Sequence, residues 1–328
     1  MKKVQLITPE IGKDRGGIQN WMYFVKRLLK LKGYSIDSFS YKSDSKLKFL
    51  TSYQSDFFIL ATWKMSIFIL PLLLTKKKIF IFVHGNEILN VNIVLRYLLK
   101  YLIRRKYTYF ISNSKSIADL FFKTTQREVD LIQYPFMEIS KQKVTKENNK
   151  FFTITRLVKR KNIANVIYAL KRLSEENFVF NYTIAGDGPE RVNLKNLVHK
   201  LHLEERINLI GKVDEEEKKE LYQKSSYFLL PSIFDESNGS IEGYGIVFIE
   251  ANSYKIPVLS GNTGGMLEAV ENSKTGLHCD GTIDDIYLKI KKLLSINFDE
   301  GYIFDYALKH DYLSQDIFLN FIKNKINE

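Results

Sequence analysis

A chain with one cysteine, Cys279, cannot close an internal disulfide, so its stability must come from packed cores, and its composition fits a reducing compartment. Proline is scarce at 6, glycine is ordinary at 17, and 45% of residues are hydrophobic. These values exclude disordered, collagen-like and disulfide-scaffold classes. No apolar run is long enough to span a membrane: "SIFILPLLLTKKKIFIFV" (66 to 83) is cut by Pro71 and by Lys76 to Lys78. The opening "MKKVQLITPEIG" has too short an apolar region for a signal peptide and reads as a first strand, which predicts a cytoplasmic protein. The histidines His199, His202, His278 and His310 have no metal-ligand partners at recognisable spacing, so no metal or other cofactor is expected. Acidic residues are sparse in one half only. Residues 1 to 150 carry a net charge of +16 and the remainder −4, within a total of +12. A surplus confined to one half suggests an anionic surface facing it, either nucleic acid or acidic lipid.

The 328 residues exceed what one core usually holds, so two domains are expected. In the first half, the apolar runs "KVQLIT", "FFILAT" (57 to 62), "IFIFVHG" (79 to 85), "YTYFIS" (107 to 112) and "VDLIQYP" (129 to 135) alternate with helix-like segments at 17 to 32, 65 to 74, 91 to 106 and 115 to 123. Near-continuously apolar strands separated by helices predict a parallel sheet covered on both faces. The charged stretch "MEISKQKVTKENNK" (137 to 150) reads as a linker. The rhythm then restarts with "FFTITRL", "FNYTIAGDG", "INLIGKV", "YFLLPS" and "PVLS", each followed by a helix or loop. The fold class expected is α/β, with two doubly wound parallel-sheet domains whose strand ends form a cleft. One domain is residues 1 to 140 plus a returning C-terminal helix at about 312 to 328, and the other is 151 to 311.

The candidate chemistry lies where strands end. Gly16 and Gly17 precede a helix, and paired glycines at a helix start let backbone N–H groups approach an anion; a plain turn has the same signature. His84 sits where "IFIFVHG" runs out, placed to donate or accept a hydrogen bond, or to fill a structural role. In "FTITRLVKRKN", Arg156 ends a strand and Lys161 opens the next helix, a pair of cations able to neutralise a diphosphate. Their neighbours Lys159 and Arg160 read as a solvated face. In "EGYGIVFIE" (242 to 250), Gly243 and Gly245 precede an apolar run closed by Pro257. A buried helix from about Ile246 to Lys255 is expected, with the N–H groups of 245 to 247 free at its start. Glu242 then lies in the loop and Glu250 in the second turn, fit for sugar and ribose hydroxyls on either side of a diphosphate; two surface glutamates near a helix N-terminus are the plainer alternative.

The ordered set GGI at 16 to 18, HG at 84 to 85, "TRLVKRKN" at 155 to 162, "IAGDGPER" at 184 to 191, "INLIGKV" at 207 to 213, "LLPS" at 229 to 232, E-x7-E, "GNTGGMLEAV" and "TGLH" resembles the retaining glycosyltransferases of family 4, with the GT-B architecture, over nearly the whole chain. The resemblance implies that Glu242 contacts donor-sugar hydroxyls and that Glu250 binds the nucleotide ribose. It assigns the leaving diphosphate to Arg156 and Lys161, with amides around Tyr244, Gly245, Ile246 and Val247 and at Gly16 and Gly17. His84 lies near the reacting sugar carbon in such enzymes, and the segment around Lys212 and Val213 borders the base. The loop "FDESNGS" (234 to 240) departs from many relatives in length and polarity. "EGYGIV" matches mannosyl- and rhamnosyl-type members as well as UDP-sugar users, with a lean to GDP-mannose over UDP- or dTDP-sugars. The implied mechanism is metal-free: cations and helix amides stabilise the departing charge, and attack comes from the same face. The basic half then reads as facing an anionic membrane that carries a lipid-linked or glycan acceptor. "NIVLRYLLKYLIRRKY" (92 to 107) would be its interfacial amphipathic helix, and no nucleic-acid partner is expected. A nucleotide-sugar epimerase of similar fold, or a basic nucleic-acid-binding protein, are the competing readings. The final stretch "YIFDYALKHDYLSQDIFLNFIKNKINE" reads as helical, packing back on the first domain.

Overall fold

The computed structural model describes residues 2–11, 17–44, 54–89, 91–141, 143–235 and 240–328. The chain divides into two compact units, Met1–Glu138 with His310–Glu328, and Ile139–Lys309.

In the first unit, β1 (Lys3–Thr8), α1 (Gly17–Leu31), β2 (Ser35–Ser40) and β3 (Phe57–Leu60) are followed by a 3-10 segment at Trp63–Leu74. Then come β4 (Lys78–Val83), α2 (Asn86–Leu89), α3 (Ile93–Arg104), β5 (Thr108–Ser112), α4 (Lys115–Thr125) and β6 (Leu131–Ile132). The strands form a six-stranded parallel sheet in the order β2-β1-β3-β4-β5-β6. Its central strands are buried almost throughout, as a sheet covered on both faces requires. β2, "SIDSFS", has no apolar run to announce it; as an edge strand it is only half-buried and tolerates its serines. The expected helix at 65 to 74 is a 3-10 segment broken at Ile69 (φ −119°, ψ 23°), because Pro71 offers no N–H to an α-helical ladder.

In the second unit, β7 (Lys150–Ile154), α5 (Ile163–Glu175), β8 (Asn181–Ala185), α6 (Arg191–Lys200), β9 (Ile207–Gly211), α7 (Glu215–Lys224), β10 (Tyr227–Leu230), α8 (Ile246–Ser253), β11 (Val258–Gly261), α9 (Met266–Ala269), β12 (Gly276–Cys279), α10 (Ile283–Ser295) and α11 (Glu300–Leu308) follow in order. The sheet runs β12-β11-β10-β7-β8-β9, all parallel. Side chains start several helices: Ser114 caps α4, Asp299 caps α11, and Asp214 forms a capping box with Glu217 at α7. The supposed linker is pinned, with Lys146 bonded to the Lys255 carbonyl (2.7 Å) and to Glu300 (2.8 Å).

The C-terminal stretch is two helices. α11 belongs to the second unit, and α12 (Asp316–Asn327) lies in the first. Met137 donates to the His310 carbonyl (2.9 Å) and accepts from Tyr312 (2.8 Å), which ties this return to the end of the first unit's main segment. Phe318 and Ile322 of α12 enter the core formed by Val4, Leu6, Trp21, Phe24, Phe80 and Phe82. Phe318→Ala is therefore expected to destabilise the first unit by about 3–5 kcal/mol, read as a lowered urea midpoint for that unit with the second unit's transition unmoved.

Candidate functional site

In doubly wound sheets, ligands meet the loops at the carboxyl ends of strands where the strand order reverses. In the second sheet that point lies between β7 and β10. The segment after β7 makes a 3-10 turn at Lys159–Lys161, and Asn162 leaves it in the left-handed region (φ 59°) to start α5. The loop after β10 carries Glu242 to α8, whose N-cap Gly245 has φ 92°, a conformation that a side chain disfavours. Gly265 seats this loop from the other side. Its N–H donates to the Glu242 carbonyl (3.1 Å), and a Cβ there would fall 2.0 Å from the Gly243 oxygen.

One ion cluster joins the two segments. Oε2 of Glu242 receives Nη1 of Arg160 at 2.8 Å and Nζ of Lys161 at 2.5 Å, and all three side chains are largely buried. Burial by itself would raise the Glu242 carboxyl. The pull of Lys161 and Arg160, by charge and by hydrogen bond, outweighs it and holds the carboxyl at about 2. Burial lowers the Lys161 ammonium from its ordinary value, with Glu242 opposing and Arg160 assisting. Arg160, expected on a solvated face, is thus a working part of the cluster. Arg156 is exposed and makes no side-chain ion pair among the described residues, so Lys161 and Arg156 are not drawn to a common partner.

The helix at 246 forms as expected and ends at Ser253. The N–H groups of Gly245, Ile246 and Val247 donate to no group among the described residues, so an electropositive helix end is left open. Tyr244 and Gly245 are buried, and Ile246 and Val247 are half-buried. Glu250 does not share the Glu242 cluster. It is buried one turn in, where Oε1 takes Nζ of Lys218 at 3.0 Å and Oε2 the Tyr222 hydroxyl at 3.0 Å. Burial, then the Glu250 charge, pushes the Tyr222 hydroxyl well above its ordinary value. Lys212 is exposed and Val213 half-buried, between β9 and the Asp214 cap. Arg160, Lys218 and Tyr222 carry no sequence signal that separates them from surface residues.

In the first unit, His84 follows β4 and is buried against Trp21 and Phe82, with ring centroids 5.7 and 6.4 Å away. Its backbone N–H donates to Oε1 of Glu87 (2.7 Å), and ring Nε2 lies 2.8 Å from the Ala61 carbonyl. A carbonyl only accepts, so Nε2 carries the proton. Burial lowers the imidazole pKa against the opposing effects of Glu87 and Ala61, which keeps the ring neutral. Nδ1 is left as an acceptor, and His84 cannot donate from that edge. Gly17 opens α1 with free space around its Cα, while Gly16 and residues 236 to 239 lie outside the described residues. Among the described residues no cluster of three or more His, Cys, Asp or Glu is arranged to hold a metal. No described helix is long and apolar enough to cross a membrane.

Residues 136–306 match the family described as Glycosyl transferases group 1. The chain is 31% identical over 142 residues to the GDP-mannose-dependent alpha-(1-6)-phosphatidylinositol monomannoside mannosyltransferase of Mycobacterium tuberculosis, which covers 43% of this chain and 37% of that protein. It is 32% identical over 127 residues to the putative colanic acid biosynthesis glycosyltransferase WcaL of Escherichia coli, covering 39% of this chain and 31% of that one. The chain thus spans under two fifths of the length of these relatives. Among solved structures, Anabaena Alr3699/HepE in complex with UDP and glucose superposes with a TM-score of 0.72 at 17% identity, over 98% of this chain and 100% of that one. Sucrose-phosphate synthase from Thermosynechococcus elongatus does so with 0.75 at 13% identity, over the whole of both chains. The fold is the two-domain α/β GT-B fold.

Glu242→Gln leaves two adjacent buried cations without their counter-charge, and is expected to cost about 3 kcal/mol at neutral pH. The wild-type carboxyl is depressed in the folded state. Its stabilisation is complete above the ordinary value of 4.5 and is lost as pH falls toward about 2. Urea titrations at neutral and acid pH should show that acid-side loss in the wild type and a weaker pH dependence in the glutamine variant.

Proposed function

We propose that this chain, which belongs to the Glycosyl transferases group 1 family, is a metal-independent, retaining glycosyltransferase of family 4 type. It moves a hexose from a nucleotide-diphosphate sugar to a glycan or lipid-linked acceptor in cell-surface polysaccharide synthesis. The observation that carries the reading is the cluster of Lys161, Arg160 and Glu242 beside the open N-terminus of α8, at the point where the second sheet reverses its strand order. A diphosphate departing there meets fixed positive charge and free N–H groups as its own charge develops, which lowers the barrier without reorganisation. Arg156, exposed at the mouth of the same strand end, has a guanidinium free to reach the outer phosphate oxygens.

Glu242 and Glu250 form the E-x7-E pair of this reading. Glu242 orients the transferred sugar through its second carboxylate oxygen, while Oε2 stays with Arg160 and Lys161. Glu250 binds the ribose in exchange for, or alongside, Lys218. His84 accepts a hydrogen bond from a sugar or acceptor hydroxyl at Nδ1. Retention follows from same-face attack, with the departing phosphate oxygen taking the acceptor's proton. GDP-mannose is the favoured donor, in line with the donor named for the mycobacterial relative. The +16 surplus of residues 1 to 150 suits a cytoplasmic enzyme held peripherally at the inner face of an anionic membrane.

A thermal-shift screen of GDP, UDP, dTDP and their sugars tests the reading. A nucleotide at about a hundred times its Kd should raise stability by about 2.7 kcal/mol. Lys161→Ala and Glu250→Ala should lose that shift while circular dichroism reports an intact fold. No shift with any nucleotide, or an undiminished shift in both variants, overturns it.

A further inference from the structure

Two elements of the first unit, α3 and the 3-10 segment before β4, each expose three large hydrophobic side chains. Along α3, Leu99 and Leu102 are buried and Leu95 and Leu98 half-buried, so two of the four leucines that suggested an interfacial face are spent on the core. What remains outside is a different stripe. Ile93, Arg96, Tyr97, Lys100, Tyr101 and Arg104 are all exposed at helical spacing, Ile93 at 71% and Tyr97 at 69%. Beside it, the 3-10 segment presents Ile67, Leu70 and Leu74, the last 84% exposed. Ile67 precedes the break at Ile69, while Leu70 and Leu74 follow it, one turn apart and closest to α3.

The two elements are fastened together. The buried Arg105 donates through Nε to the Leu73 carbonyl (2.8 Å) and through Nη2 to the carbonyls of Thr75 (2.7 Å) and Lys77 (2.6 Å). The Tyr101 hydroxyl also donates to Leu73 (2.9 Å). The end of the 3-10 segment, with Leu74, is thereby fastened to the end of α3. Residues 63 to 107 contain nine Lys and Arg but one acidic residue, Glu87, which is buried. An exposed apolar edge inside a one-sign cationic field is complementary to a layer that is anionic outside and hydrocarbon within.

We propose that the turn carrying Ile67, Leu70 and Leu74 is a bilayer-insertion edge, and that the outer stripe of α3 is its headgroup-binding face, together docking this unit on an anionic membrane. The docking deepens the membrane-acceptor reading given above but rests on separate residues. The aliphatic side chains enter the acyl boundary, Tyr97 and Tyr101 lie at headgroup level, and Arg96, Lys100 and Arg104 meet lipid phosphates. None of these residues belongs to the nucleotide site.

Co-sedimentation of the full chain with vesicles of phosphatidylcholine alone, or with phosphatidylglycerol added, decides the matter. The wild type should bind the phosphatidylglycerol vesicles and lose them as salt rises. The double variant Leu70→Ser with Leu74→Ser should partition about tenfold more weakly, since a tenfold factor needs less apolar burial than two leucines supply. Arg96→Glu with Lys100→Glu should abolish the preference for phosphatidylglycerol. Both changes are on exposed positions, so melting temperatures and donor-induced shifts should match the wild type. Equal binding by wild type and the serine variant, or no vesicle binding at all, overturns the proposal, as does a concentration-dependent dimer that the serine variant abolishes. The nucleotide screen can fail or succeed without changing any of these outcomes.

Discussion

The second unit turns on one carboxylate oxygen shared by two cations. Arg160 and Lys161 are adjacent in sequence and both inward, an arrangement that like-charge repulsion and burial would otherwise oppose. Glu242 makes it tolerable and in doing so fastens the loop ahead of α8 to the turn after β7. The contact of Gly265 with Gly243 holds the same loop from its far side. Between an ion cluster and a backbone contact too close for any side chain, the start of α8 has little freedom. The three ionised groups still sum to one positive charge, which is the property an anionic ligand needs at that place.

Much of this was legible in the residues. The central strands announce themselves because a sheet covered on both faces needs continuous apolar runs, and "FFIL", "KIFIFV" and "TYFIS" supply them. The apolar helix behind Gly245 was readable against strand propensity, because the glycines before it and Pro257 after it leave no room for a strand. β2 was invisible, since an edge strand that is half solvated can be built from serine and aspartate. Arg160 was misread because composition cannot tell which of three successive cations points inward. A 3-10 turn sends consecutive side chains about 120° apart, and only the position of Glu242 selects among them. Glu250 was placed correctly on its helix, but its partners Lys218 and Tyr222 come from a helix of repeated Glu and Lys with nothing to mark them.

The two units solve similar problems with different strand orders. The second has its reversal between β7 and β10, and the first between β1 and β3. In the second, the loops beyond those strands carry Lys161, Glu242 and Gly245; in the first, Gly17 follows β1, while His84 follows β4, next to β3 in the sheet. The charge is divided unequally, however. The first half gathers the cations, whereas the second half is slightly acidic, and its Arg160, Lys161 and Lys218 are paired with glutamates. Under the proposed function, the sugar donor and the anionic surface would be met by separate bodies of one chain.

On the proposed reading, in which His84 meets a substrate hydroxyl, its locked tautomer bears on selectivity. With Nε2–H committed to the Ala61 carbonyl and the ring held neutral by burial, the only free valence is a lone pair. Whatever comes to rest against Nδ1 has to bring its own hydrogen. In that role, an ether or deoxy carbon at the same spot would leave Nδ1 without a donor, so the position would discriminate by what it refuses to satisfy rather than by what it attracts.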